Sequence, residues 1–448
     1  MNEMNSYSRR GFLKTLAAVA ASGVVLSGCD SSAVVSAGLS GGKKNETRWL
    51  RGNMHTHTYW SDGDHFPEMA ARWYKDHGYD FLVHTDHNIL LEGEKWKSLP
   101  AGHESIAECS AAFGADWLQT RPDEKESGNV QVKLKTLEQY RSLLEEPGKF
   151  LLIMGEEVTS AHGVHCNAFY VDKVIEPGKD FNEDERLPLI RENMRKITDY
   201  TNKSGRNTFP VLNHPNWKSA ITAEMIAEAD DLKFFEVYNG IESCYSSGPV
   251  PRKSTDKIWD VALSLRMSRG HDTILYGLAT DDAHNYHGTG HATPGMGWVM
   301  VRSKTLSPQA ILDAMIAGDF YATTGVILKD VRCDGKTMHI EVQNEPGVEY
   351  ITEYIGTRRG FDLSSKPTLD DQGKPITNTT RTYSEQIGEV LYSTKEPVSS
   401  YKFKGDELYV RARIVSNAPH KDPTTGVQTS EVNYATQRAW CQPVIVRG

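Results

Sequence analysis

Short apolar runs recur through the first two thirds of the chain, each closing on polar residues: "WLRGNMHTH", "YDFLVHTDH", "FLLIMGEEV", "HCNAFYV", "FPVLNHP", "FFEVYNG", "ILYGLATDDAH" and "WVMV". Their length and their Val, Ile, Leu and aromatic content predict strands buried on both faces. Helical stretches separate most of them. In "FPEMAARWYKDHG", Pro67 stands early, Met69, Trp73 and Tyr74 recur near helical spacing, and Gly78 follows as a stop. Strands alternating with helices in this way predict parallel βα units in an α/β barrel.

The texture changes after residue 325. "KTMHIEVQ", "EYITEYIG", "ELYVRARIV" and "AWCQPVIV" are alternating or β-branched runs split by turn residues, which predicts a small, sandwich-like all-β domain over residues 326–448. Residues 48–325 then form the barrel. Residues 91–135, polar and broken by Gly and Pro, are expected as an inserted loop over its mouth. The polar stretch "TLDDQGKPITNTTRTYSEQ" reads as a long loop, and no internal repeat is apparent.

The first residues carry a different signal. "SRRGFLK" places a twin arginine before an apolar run, Leu16 to Gly28, that is too short to span a bilayer. It resembles a twin-arginine export signal, and "LSGC", Leu26 to Cys29, resembles a lipoprotein cleavage box with Cys29 as the lipidated residue. Residues 1–28 are thus expected to be removed. The Ser/Gly-rich residues 29–47 would form a flexible tether to a membrane, placing the protein in the periplasm or at the cell surface.

Composition narrows the partners. With 448 residues and 38% hydrophobic content the chain can bury a sizeable core. The formal net charge is -9, and loss of Arg9, Arg10, Lys14 and Glu3 with the signal removes two net positive charges to leave -11. Such a balance argues against a nucleic-acid partner. The cysteines beyond Cys29, at 109, 166, 244, 333 and 441, are widely spaced without a CxxC pair, and are expected mostly as buried thiols.

Six histidines crowd residues 52–88, and most candidate ligands fall at the C-terminal end of a predicted strand. In parallel barrels that end is where side chains converge. His55 and His57 lie two apart on the first strand, so both imidazoles point to one side, and a shared metal is the economical explanation. Asp62 follows in "SDG", His84, Asp86 and His87 in "HTDH", and Glu156 and Glu157 in "GEEV". "HGVHCN" supplies His162 and His165, "NHP" supplies His214, and "TDDAH" supplies Asp281, Asp282 and His284. These are nitrogen and oxygen donors for Zn, Mn or Fe, with no thiolate cage.

Taken in order, HxH, SDG, TDH, GxE, HxN, NHP and DxH over residues 49–303 resemble the PHP family, named for polymerase and histidinol phosphatase. The resemblance implies a distorted (β/α)7 barrel holding two or three divalent ions. It also implies a ligand set: His55, His57, Glu157 and Asp282 on one metal, Glu157 bridging to a second held by His165 and His214, and Asp62, His87 and His284 on a third. Histidinol phosphatases often carry His within the segment where this chain has Asp62, a difference that bears on the third metal's identity. Glu156, His162 and Asp281 rival Glu157, His165 and Asp282, and the family's GxE, HxN and DxH registers favour the latter three. His84 is expected to pack or support, and Asp86 to orient a neighbouring His.

The chain lacks a GxSxG elbow and a phosphate-binding P-loop, which leaves metal-activated water as the nucleophile. Asp282, His284 and Glu157 would act in catalysis through the metal centre. Lys218 and Arg252 are candidate cationic contacts to a small ester substrate, and either also suits a solvated surface. Phosphoester hydrolysis is the first expectation, with carboxyl ester or carbamate cleavage as the alternative. A reading of another class is a surface-tethered carbohydrate- or protein-binding lipoprotein, whose C-terminal strands, with "EYITEYIGTRRGF", make the contact.

Overall fold

The predicted apolar runs become strands because their alternate residues enter two different cores. Phe81 and Val83 of "FLVH" point into one buried cluster, while Leu82 points into another that holds the helix after the first strand. The computed structural model describes residues 47–288 and 291–447. The expected signal, Cys29 and the tether up to residue 46 lie outside the described residues.

The strands that build the site are β1 (Arg48–Asn53), β2 (Phe81–His84), β3 (Leu151–Thr159), β4 (His165–Phe169), β5 (Val211–Leu212), β6 (Phe234–Asn239), β7 (Tyr276–Thr280) and β8 (Trp298–Ser303). Around them lie α1 (Pro67–Asp76), α2 (Glu104–Phe113), α3 (Leu137–Leu144), α4 (Arg186–Ser204), α5 (Ala223–Glu228), α6 (Thr255–Ser268) and α7 (Pro308–Ile316). The sheet runs in the order β7-β6-β5-β4-β3-β2-β1-β8. Its two flanks also meet: Thr56, just past β1, bridges Ala283, just past β7, and His57 N–H donates to the Ala283 carbonyl at 2.8 Å.

The pairing is mixed rather than wholly parallel, which corrects the expectation of parallel βα units. β1–β2, β2–β3, β5–β6 and β6–β7 are parallel, but β4 runs antiparallel to both β3 and β5, and β8 antiparallel to β1. The reason is local. Only the turn at Ala161–Gly163 separates β3 from β4, far shorter than a parallel crossover needs.

Inward side chains of successive strands, Leu50, Val83, Ile153, Phe169, Val211, Phe234, Leu278 and Val299, form one apolar cluster beneath the strand ends, with Ile311, Leu312 and Met315 of α7 in the same cluster. The polar residues that close each run stand beyond this floor.

Two further differences follow from patterns too weak to read. Residues 91–135 are not a loop: Trp96–Pro100, Asn129–Lys133 and Thr120–Pro122 pair as a three-stranded sheet, and α2 lies between them in the chain. Short half-exposed strands with few apolar residues leave little periodic signal. The runs after residue 325 do form strands, but the first sheet continues into them. β9 (Phe320–Thr323) pairs β8, and β10 (Tyr350–Arg358), β11 (Glu389–Thr394), β12 (Glu407–Pro419) and β13 (Thr436–Cys441) extend the order as β8-β9-β13-β12-β10-β11. The described residues belong to one compact unit.

Candidate metal centre

Each candidate ligand is carried by a strand end or by the few residues just beyond it. Past β1, the segment Thr56 to Asp62 is held by Asp86, whose carboxylate accepts from Thr58 N–H at 2.8 Å, from the Thr58 hydroxyl and from Ser61 Oγ at 2.6 Å. Asp86 thus fixes the loop that presents Asp62. It bonds no histidine, which corrects the role expected of it. Gly63 of "SDG" is required by crowding: a Cβ there would lie 2.6 Å from the His57 backbone.

Past β2, His87 bridges to Glu157 in parallel pairing, so the third residue after the strand still keeps register with β3. β4 delivers His165 from its first residue. Because β4 runs against its neighbours, its start lies at the rim where the parallel strands end. His214 and Asp282 hold φ of +26° and +51°, a left-handed conformation that costs non-glycine residues on the order of 1–3 kcal/mol and clusters at functional positions.

These side chains converge on Glu157. Its Oε1 lies 3.4 Å from His55 Nε2, 3.1 Å from His165 Nδ1 and 3.4 Å from His214 Nε2, and its Oε2 lies 3.6 Å from His57 Nε2 and 2.6 Å from His87 Nδ1. Asp282 Oδ1 stands 3.2 Å from His55 Nε2 and 3.1 Å from His57 Nε2. Toward solvent, Asp62 Oδ1 is 3.4 Å from His284 Nε2, and its Oδ2 is 3.4 Å from His87 Nε2. His57, Asp62, His87 and His284 make one group, His55, His57 and Glu157 a second, and His87, Glu157 and His165 a third. His57 and His87 therefore each face two groups.

The donors fit divalent cations. Most of these separations exceed the roughly 2.7–2.9 Å of a charge-assisted hydrogen bond. They suit two donors sharing one ion at about 2.0–2.2 Å. Both His55 Nε2 and His57 Nε2 are buried with no hydrogen-bond partner, an arrangement that folded proteins avoid unless something else satisfies the atom. Their orphaned lone pairs face Glu157 and Asp282.

Burial and charge oppose each other at the site. Burial alone would push the Glu157 carboxyl up, yet the His165, His55 and His87 imidazoles hold it well below the usual carboxylate range. Asp282 is likewise driven low by His55, His57 and His284 against the effect of burial. The carboxylates draw protons onto their partners in return: Glu157 and Asp62 overcome the burial of His87 and lift it to about 10. His57, fully buried beside His284, is pushed down to about 3. Divalent cations would replace those protons.

Sequence reasoning missed the groups behind the ligands. Glu236 Oε1 accepts from His55 Nδ1 at 2.7 Å and from Thr280 Oγ1 at 2.6 Å, and its Oε2 accepts from His214 N–H and Asn239 Nδ2, both at 2.8 Å. It fixes the His55 tautomer with Nε2 free. The only signal was one acid inside the otherwise apolar strand "FFEVYNG". Asn213 Nδ2 donates to Glu157 at 2.8 Å, and Asn239 Nδ2 to Asp282 at 3.0 Å.

The rival residues lie elsewhere. Glu156 faces away and accepts from Ile175 N–H at 2.6 Å, Asp281 accepts from Tyr74 and from the Gly295 and Gly297 amides, and His162 bonds the Phe181 carbonyl. His84 packs against Tyr140 with a 2.9 Å hydrogen bond. Lys218 is exposed on the loop after His214, its ammonium 4.0 Å over the Trp217 ring, and Trp217 in turn packs on His165 and His214. Arg252 stacks on Tyr245, which joins the His214 loop through Asn216. Cys109, Cys166, Cys244 and Cys441 are buried free thiols, and Cys333 is an exposed one.

Fold and site together define a mixed α/β protein with a histidine- and carboxylate-rich centre able to hold divalent metal ions. The chain is similar to a two-domain protein from Bacteroides vulgatus containing a predicted PHP-like metal-dependent phosphoesterase, at 15% identity over 88% of this chain and 98% of that one, with a TM-score of 0.37. It is also similar to an inferred metal-dependent phosphoesterase from Bifidobacterium adolescentis, at 14% identity over 56% of this chain and 91% of that one, with a TM-score of 0.26. No family model and no curated protein matches the chain.

Proposed function

We propose that the chain is a metal-dependent hydrolase of the PHP type that cleaves phosphoester bonds with two or three Zn, Mn or Fe ions. The observation that carries this reading is the pair of orphaned, buried Nε2 atoms of His55 and His57 aimed at Glu157 and Asp282. When bound, such ions lower the pKa of a water toward neutrality and offset charge on the reacting centre. In this reading the strands from β1 to β7 are the (β/α)7 barrel, and residues 326–448 are the appended β domain.

The chain's own groups orient and expose the site. Glu236 and the Asp282 carbonyl each accept a hydrogen bond from a histidine Nδ1, that of His55 and of His284, so both Nε2 atoms turn toward carboxylates. Burial grades across the centre: the His55 and His57 side chains are fully buried, whereas Asp62, His87 and His284 are 56%, 25% and 24% exposed. An anionic ester would arrive from the Asp62 edge. Lys218, on the loop that carries His214, offers it a cation.

The full chain reconstituted with Mn or Zn is expected to hydrolyse an aryl phosphate, and His55→Ala or Asp282→Asn to lose that activity. Glu236→Gln should weaken metal binding about 10–100-fold while the protein stays folded. Turnover of carboxyl esters or carbamates but not of any phosphate ester would replace the proposed bond. Export by a twin-arginine signal with lipidation at Cys29 belongs to the same proposal. Membrane association that survives Cys29→Ser would remove the anchor from it.

A further inference from the structure

A second cluster stands apart from the ligands above, where the inserted segment meets the rim. His65 Nε2 lies 3.2 Å from Glu108 Oε2, and His287 Nδ1 lies 3.4 Å from the same oxygen and 3.8 Å from Glu104 Oε1. The His65 and His287 rings are 4.6 Å apart. Glu104 and Glu108 are four apart on α2, so one helix face carries both carboxylates.

We propose that His65, Glu108 and His287, with Glu104 as a fourth donor, hold a structural zinc-type divalent cation that pins α2 to the rim. Three observations support it besides proximity. First, the separations to Glu108 are longer than a direct charge-assisted hydrogen bond and right for shared coordination. Donors about 2.0–2.1 Å from a tetrahedral zinc stand about 3.3–3.4 Å from one another, while a charge-assisted N–H···O bond closes to about 2.7–2.9 Å.

Second, the tautomer of His287 is set from behind. Its Nε2 lies 3.2 Å from the Asp64 carbonyl oxygen, which can only accept, so Nε2 carries a proton and Nδ1 is the nitrogen turned to Glu108. A backbone carbonyl behind the ring is a common support for a metal-bound histidine. Third, His65 is nearly enclosed, with a side chain 5% exposed, so water competes little for the Nε2 it turns to Glu108.

The consequence is mechanical. His65 follows Asp62 by three residues, and His287 follows His284 by three. One cation bound to His65, His287 and α2 would therefore tie together the two loops that present Asp62 and His284. The inserted helix would act as a brace for the solvent-facing edge of the centre.

The test uses the full chain equilibrated with zinc sulfate, freed of loose ion by gel filtration, with zinc counted by elemental analysis and α2 attachment read by limited proteolysis of residues 114–128. Glu108→Gln and His287→Gln are each expected to lose one zinc equivalent and to be cut faster in that segment. Glu108→His, which restores a nitrogen donor, should keep both the equivalent and the protection. An unchanged zinc count in Glu108→Gln overturns the site, since an ion pair alone gives that result. Glu108 is 47% exposed, so this variant remains informative if His287→Gln does not fold. No ligand of the main centre is altered, so the outcome is independent of which bond that centre cleaves.

Discussion

Adjacent in the chain, Glu156 and Glu157 face opposite sides of β3, and their surroundings move the two carboxyls in opposite directions. Glu157 is held low by imidazoles, while burial pushes Glu156 up to about 8, its one backbone donor from Ile175 too little to reverse the effect. From the ordinary value of 4.5 to about 8, the unfolded chain has released the Glu156 proton and the folded chain still holds it. Stability should therefore fall as pH rises through that window. Glu156→Gln keeps the acceptor for Ile175 and does not titrate. It is expected to be more stable than the parent at pH 8 by on the order of 4 kcal/mol, with little difference near pH 4.5. Equal denaturation midpoints for the two proteins at pH 8 would falsify this.

The same pair shows how far single residues are legible. Period-two spacing places His55 and His57 together without a structure, and it tells that Glu156 and Glu157 diverge. Spacing cannot tell which of the two faces inward; that required the resemblance. Glu236 escaped both, because a buried acid that touches no ion has no spacing rule, only incongruity with its apolar neighbours.

At the scale of elements, the strands around the site were readable because burial on both faces leaves an unbroken apolar run. Direction was not. Whether β4 runs with or against β3 depends on the length of the connection, and "SAHG" holds none of the residue pairs that mark a tight turn. A second feature invisible in the sequence joins β12 to α6. Arg411 is fully buried, its Nε and Nη2 donating to Asp260 at 2.8 and 2.7 Å and its Nη2 to Asp256 at 2.6 Å. Arg413 completes the network from Asp256 to Glu353. Arg411→Met would leave two enclosed carboxylates short of their cation. Breaking one side of a buried pair typically costs about 3–5 kcal/mol, and chemical denaturation of Arg411→Met should show a loss of that order.

Across the whole molecule, the C-terminal strands reach close to the metal ligands. β13 pairs β9, Trp440 stacks near Tyr238 of β6, and Gln442 bonds both the amide and the carbonyl of Gly277 on β7. Asn433 Nδ2 donates at 3.0 Å to the carbonyl of Asn239, whose own side chain holds Asp282. A chain ending at residue 325 is thus expected to be insoluble, with a bare β9 edge and exposed aromatic surface. A soluble truncated chain that still binds metal would show that the later strands are dispensable for the centre.

The pairing of β1 with β8 also sets an order in time. Arg48 lies against Ser303 and Tyr321 against Cys441. At roughly 5–20 residues per second, β1 leaves the ribosome on the order of ten seconds or more before its partner β8 exists. Contacts this distant in sequence close late and slow the search for the native state. The "HTH" just past β1 lacks its partner Ala283 until well over half of the chain is made, so the site ripens late in synthesis rather than growing outward from its first ligands.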